Sequence, residues 1–213
     1  MGIKPPPSTF VLLIRHAKTA TTGTVLPGRA PGLHLSPDGR QQAEALAERL
    51  RPLTRIAAVY ASPLARARET AAPLARVHRL TVLPEGGLNE CDYGRWTGAP
   101  LNALRKRPEW RVVQRYPSGF RFPGGESFME MQARITAALG RLIGQHRGKI
   151  IVAVSHADPI KVALAHALGT HLDLFQRIAV APASVTAIAY REEGPVVLTV
   201  NATHSGLAGL IRP

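Results

Sequence analysis

The chain is 213 residues long, 45% hydrophobic and 19% charged, which suits one ordinary α/β domain with a substantial core and excludes wholesale disorder. One cysteine, Cys91, excludes an internal disulfide framework and leaves too few thiolates for a structural zinc site. The net charge of +13 is scattered, mostly as arginine in helical patterns that also carry glutamate, without a basic arm, zinc-finger spacing or RNA-recognition aromatics.

That pattern argues against nucleic acid and for a solvated basic surface, or a field that draws anionic substrates inward. No long apolar segment precedes Arg15, so neither a signal peptide nor a membrane span is expected, and Pro6 breaks the myristoylation pattern. With one thiol, the chain fits a reducing cytoplasm.

Residues 10–14 form a continuous Phe-Val-Leu-Leu-Ile run that ends in Arg15-His16. Such a run suits a strand buried on both faces, and its carboxyl end is where open α/β folds bind ligands. Residues 17–35 read as a loop. Ser36-Pro37-Asp38 then opens a helix, with Ser as N-cap and Ala43, Leu46, Ala47 and Leu50 as its apolar stripe. Ile56–Tyr60 reads as a short strand, and Ser62-Pro63 repeats the cap-then-proline start of a helix running to about residue 75. Leu80–Leu83 is another short strand, followed by a loop holding Leu88-Asn89-Glu90.

Residues 94–125 carry five Gly, four Pro and both Trp, and read as an insertion over a pocket mouth. Glu126 to about Gly144 has helical spacing. Ile150–Val154 is a second buried-strand run, ending in Ser155-His156; a helix from Asp158-Pro159 to about Leu168 and two β-rich runs near 184–190 and 196–201 follow. Strands alternating with helices predict a three-layer α/β/α sandwich with a mostly parallel central sheet, as a single domain over 1–213. Two strand-end histidines, one beside an arginine, point to a pocket for a doubly charged anion.

Arg15-His16-Ala17-Lys18-Thr19 resembles the Arg-His-Gly signature of the histidine phosphatase superfamily, which includes phosphoglycerate mutases. The resemblance continues in order through Leu35-Ser36-Pro37-Asp38-Gly39, Ser62-Pro63-Leu64-Ala65-Arg66, Leu88-Asn89-Glu90, Pro123-Gly124-Gly125-Glu126-Ser127, Val154-Ser155-His156 and the tail Asn201-Ala202-Thr203-His204. It implies that His16 is the nucleophile, attacking phosphorus to give a phosphohistidine. Arg15 and Arg66 would grip the phosphoryl oxygens through their planar forks, with His156 completing the cradle. Thr22, Arg29 and Ala157 complete the candidate phosphate-binding set.

Glu90 aligns with the proton donor of the mutase-like branch, and a positioned acid is worth about 10²–10⁴-fold. Asp158 competes for that role, yet directly before Pro159 it reads as an ordinary N-cap. Ala17 and Ala157 stand where the family usually has Gly, which implies negative φ there. Lys18 adds positive charge near the entrance, in place of the usual Glu or Gln.

The resemblance implies a phosphoric monoester hydrolase acting on a small phosphorylated metabolite, with no cofactor or metal. The alternative is a phosphoglycerate mutase-type phosphomutase, for which Lys106, Arg107, Arg111, Arg115 and Arg121 could grip a substrate carboxylate. Outside enzymology stands a phosphoryl-ligand or nucleic-acid binding protein. A homodimer is compatible with the sequence.

Overall fold

The computed structural model describes residues 7–204 and 206–211. Strand β1 (Thr9–Arg15) lies inside a six-stranded sheet between β6 (Ile150–Ser155) and β7 (Val185–Arg191). Beyond β6 come β3 (Ile56–Ala61) and β4 (Val82–Pro84), and beyond β7 comes β8 (Gly194–Ala202) at the other edge. Strands β4, β3, β6 and β1 run parallel, while β7 and β8 pair antiparallel. The sheet is therefore mostly parallel.

Helices cover both faces, which is why β1 is apolar from Phe10 to Ile14 and β6 from Ile150 to Val154. Leu12 and Ile14 pack with α1 (Pro37–Leu50) and α2 (Ala65–Val77) on one side. Val11 and Leu13 pack with α5 (Phe128–Gln145) and α6 (Ala157–Ala167) on the other. The result is the expected three-layer sandwich. Among the described residues no helix is long and apolar enough to cross a membrane.

Several boundaries differ from the sequence expectation. Helix α2 begins at Ala65, not Ser62; its N-cap is Leu64, which makes no side-chain cap bond. The Ser62 hydroxyl is used elsewhere, as described below. Helix α6 begins at Ala157 with His156 at the N-cap, so Asp158 is a first-turn residue and not the cap. Helix α5 begins at Phe128, after a capping box in which Ser127 and Glu130 satisfy each other's backbone N–H groups. The loop over 17–35 contains a two-residue strand, β2 (Val25–Leu26), paired with β5 (Ala99–Pro100).

That small sheet ties the loop after His16 to the segment over 94–125, which also holds the short helices α3 (Leu101–Leu104) and α4 (Pro108–Arg115). Trp96 and Trp110 stack at 6.4 Å, and Phe120 and Phe122 pack edge-on at 5.0 Å, so the segment carries its own aromatic packing. It contributes Leu101, Arg105, Trp110 and Val113 to one wall of the cavity at the carboxyl end of β1.

Candidate active site

Strand pairing builds the core of the site. Strands β1 and β6 are parallel neighbours with Arg15 opposite Ser155, so the next residue on each, His16 and His156, emerges from the same edge. The His16 backbone N–H donates to the Ser155 carbonyl at 2.9 Å, and the two imidazole rings lie 5.1 Å apart, edge to face. The two histidines that end separate apolar runs in the sequence are thus spatial partners.

His16 is buried, and its Nδ1 lies 2.7 Å from the Ala17 carbonyl oxygen. A carbonyl can only accept, so Nδ1 carries the proton and Nε2 keeps its lone pair. Arg66 donates its Nε–H to that Nε2 at 3.3 Å. Burial, then the Arg66 charge, hold the His16 pKa down to about 3. At neutral pH the ring is uncharged and its Nε2 is a competent nucleophile.

Arg66 is fully buried in the first turn of α2, and its Nη2 donates to the Gly28 carbonyl at 2.8 Å. Arg15 donates Nη1 to the Val180 carbonyl at 2.7 Å. Nε of Arg15, Nη1 of Arg66 and Nδ1 of His156 are buried side-chain nitrogens without a hydrogen-bond partner. Buried polar atoms are normally paired. The two arginine nitrogens are N–H donors, and two orphaned donors beside one histidine are what a multi-oxygen anion would satisfy; His156 Nδ1 joins them once it takes up a proton.

His156 is oriented by a relay: its Nε2 lies 2.9 Å from the Ser62 hydroxyl, which donates to Asn89 Oδ1 at 2.8 Å. Because the serine proton goes to Asn89, the serine oxygen accepts from His156 Nε2–H, leaving Nδ1 as the free nitrogen. Burial, followed by the His16 and Arg66 charges, holds the His156 pKa well below the usual imidazole value. Ala157 lines the cavity as the first residue of α6, so the helix N-terminus adds its dipole and first N–H groups to this anion-favouring end. Neither Ala17 nor Ala157 has positive φ, so the methyl at each position costs no backbone strain.

Glu90 is buried and lines the same cavity. Its Oε1 accepts the Cys91 backbone N–H at 3.0 Å. Burial, reinforced by Asp158, raises its pKa to about 7, which makes it a carboxylic acid able to deliver a proton near neutrality. Asp158 also lines the cavity, but it is engaged: the Tyr93 hydroxyl donates to it at 2.9 Å, and Lys161 lies 3.6 Å away. Cys91 is a buried thiol whose pKa is pushed up by burial, as befits a small core residue.

The remaining sequence candidates separate. The Thr22 hydroxyl accepts the Thr19 backbone N–H at 2.9 Å, and Thr22 lines the cavity. Arg29, expected at the phosphate, is engaged by protein groups instead. Its Nη2 pairs with Glu126 at 3.0 Å and its Nε donates to the Glu90 carbonyl at 2.8 Å, so its cation is spent on the loop. Lys18 is exposed and outside the cavity wall, between Ala17 and the lining residue Thr19.

None of Lys106, Arg107, Arg111, Arg115 or Arg121 lines the cavity either. Arg107 sits over the Trp96 ring at 5.7 Å, and Arg121 pairs with Glu130. Among the described residues, Arg105 and Lys161 line it beside Arg15, and neither of these two was singled out by the sequence. The space they share with His16 and Glu90 is about 260 Å³.

The profile of the histidine phosphatase superfamily (branch 1) matches residues 11–203, nearly the whole described chain. The chain belongs to the histidine phosphatase superfamily. Phosphoserine phosphatase 1 of Hydrogenobacter thermophilus is 30% identical to this histidine phosphatase over 207 residues, covering 91% of this chain and 92% of the relative. The probable phosphoglycerate mutase GpmB of Salmonella choleraesuis is 29% identical and covers 85% of each chain. Among solved structures, a phosphoserine phosphatase from Entamoeba histolytica in complex with phosphoserine superposes with a TM-score of 0.82 at 26% identity, covering 92% of this chain and 98% of that one.

Proposed function

We propose that this histidine phosphatase hydrolyses phosphoric monoesters of small metabolites through a phosphohistidine on His16. The observation that carries the reading is the pair of unpartnered buried N–H donors, from Arg15 and Arg66, beside a neutral His16 whose Nε2 lone pair is free of a proton. In the first step Nε2 attacks phosphorus and the P–O ester bond breaks. The Glu90 carboxyl gives its proton to the departing alkoxide. In the second step the Glu90 carboxylate takes a proton from water, the water oxygen bonds to phosphorus, and the P–N bond returns its electron pair to Nε2. The fixed cations stabilise charge on the phosphoryl oxygens in both steps.

Hydrolysis is favoured over mutase chemistry by the relative named phosphoserine phosphatase, matched over 91% of this chain. Within the phosphatase reading, Arg105 and Lys161 favour a phosphoester with a second negative group, in keeping with relatives named for phosphoserine. A buried lone cysteine suits work in the cytoplasm. The experiment is a panel of phosphoserine, 3-phosphoglycerate, sugar phosphates and p-nitrophenyl phosphate with inorganic phosphate measured. Acid-bearing esters are expected to turn over fastest. Sugar phosphates turning over fastest would overturn the substrate preference, and 2-phosphoglycerate appearing from 3-phosphoglycerate faster than phosphate would overturn hydrolysis.

A further inference from the structure

Glu90 follows a single helical turn over Gly86–Leu88 and the extended residue Asn89, so its own segment supplies little rigidity. Arg134, on α5, grips that segment. Its Nη1 donates to the carbonyls of Gly87 at 2.7 Å and Asn89 at 2.9 Å, and its Nη2 donates to the carbonyl of Glu90 at 3.3 Å.

Glu126 holds Arg134 in turn, with Oε1 accepting from Nη2 at 2.6 Å and Oε2 from Nε at 3.3 Å. The same carboxylate accepts the Asp92 backbone N–H at 3.0 Å and Arg29 Nη2 at 3.0 Å, while Arg29 Nε donates to the Glu90 carbonyl at 2.8 Å. Two guanidiniums joined by one carboxylate thus bind the backbone from Gly87 to Asp92, on both sides of Glu90.

These side chains are largely withdrawn from solvent, at 22% exposure for Arg134 and 14% for Glu126, so the charge-assisted bonds are poorly screened. The planar fork is what lets one residue reach three carbonyls, which the single ammonium of a lysine does less well. Both arginines spend their donors on main-chain carbonyls and the Glu126 carboxylate, so the network acts on the backbone. A displacement of about 1 Å in a reacting group can cost on the order of 10²-fold in rate.

We propose that Arg134, anchored by Glu126 and Arg29, is a positioning residue that fixes the Glu90 carboxyl at the leaving-group oxygen. This rests on the reading of Glu90 as proton donor. The test is Arg134→Gln, assayed on phosphoserine and on p-nitrophenyl phosphate, whose leaving group needs little protonation.

The expected result is a kcat loss on phosphoserine at least about tenfold larger than on the aryl ester, the bias Glu90→Gln itself shows. Arg141→Gln, on the same helix but with its own side chain 57% exposed in its pair with Glu85, leaves both rates unchanged. Equal losses on the two substrates would overturn the proposal. If Arg134→Gln does not fold, the same ratio measured on Glu126→Gln decides. Bias in Glu90→Gln without bias in Arg134→Gln overturns the positioning role alone, whereas no bias in Glu90→Gln overturns the donor assignment and the proposal with it.

Discussion

Arg66 directs its Nε–H at His16 Nε2 from 3.3 Å, while its Nη1 is buried without a partner. One guanidinium therefore does two things in the free protein: it orients the imidazole lone pair, and it holds a donor in reserve for an oxygen beside it. Its positive charge also contributes to keeping His16 neutral, second only to burial.

This makes the two residues separable by experiment. His16→Ala is expected to abolish turnover and the acid-labile phosphoenzyme together, because it removes the imidazole whose Nε2 lone pair Arg66 orients. Arg66→Ala is expected to retain a trace of phosphoenzyme and to lose on the order of 10²–10³-fold in kcat, the scale for removing one preorganised donor to a developing charge. Base quench and quantification of protein-bound phosphate check both. Substantial phosphoenzyme in His16→Ala would remove His16 from the nucleophile role.

The pH dependence follows from two displaced pKa values. His16, held down to about 3, stays a nucleophile at any pH well above that. Glu90, raised to about 7, loses its transferable proton as pH rises through that value. The kcat for an alkyl phosphate is therefore expected to fall above about pH 7. Glu90→Gln is expected to lower kcat by about 10²–10⁴-fold on alkyl esters and to flatten that limb, with a smaller loss on aryl esters. The folding linkage has the matching sign. A carboxyl raised above its unfolded value of 4.5 favours the folded state least once pH exceeds its folded value, so Glu90→Gln is expected to narrow the stability loss between pH 5 and 8, read by denaturant midpoint.

How much of this was legible in the sequence depends on range. The β1 and β6 runs are apolar throughout because both sheet faces are covered, and that pattern is local, so the strands and their terminal histidines could be read directly. Ser62-Pro63 carries the local grammar of a helix start, but tertiary chemistry overrides it: Ser62 lies 2.9 Å from His156 and donates to Asn89. Asp158-Pro159 misleads in the same way, since the partner that claims Asp158 is Tyr93, 65 residues earlier. Arg29 sits in a loop without periodicity, where nothing local says that its partner is Glu126 and not a phosphate. Arg105 and Lys161 were missed for the converse reason. A cavity wall assembled from α3 and α6 leaves no signature in either segment alone.

The segment leaving His16 is pinned from outside the site, and Gly39 is the weak point of that arrangement. Ala17 N–H donates to the Thr70 hydroxyl at 3.0 Å, Lys18 N–H donates to Gln42 Oε1 at 3.1 Å, and the Lys18 carbonyl accepts the Ser36 N–H at 3.0 Å. The first turn of α1 therefore packs directly on the backbone two residues beyond His16. A Cβ on Gly39 would overlap the Lys18 carbonyl oxygen, which is backbone and cannot rotate away. Gly39→Ala is thus expected to cost stability toward the upper end of about 1–3 kcal/mol despite the better helix propensity of alanine. For a chain of this size that is a Tm lowered by roughly 6–12 °C. Because Ala17 carries the carbonyl that fixes the His16 tautomer, kcat is expected to fall as well, by more than the unfolded fraction accounts for. Thermal unfolding alongside kcat at 25 °C checks this; a lowered Tm with unchanged kcat would mean that the Ala17–Lys18 backbone absorbs the push without disturbing the histidine.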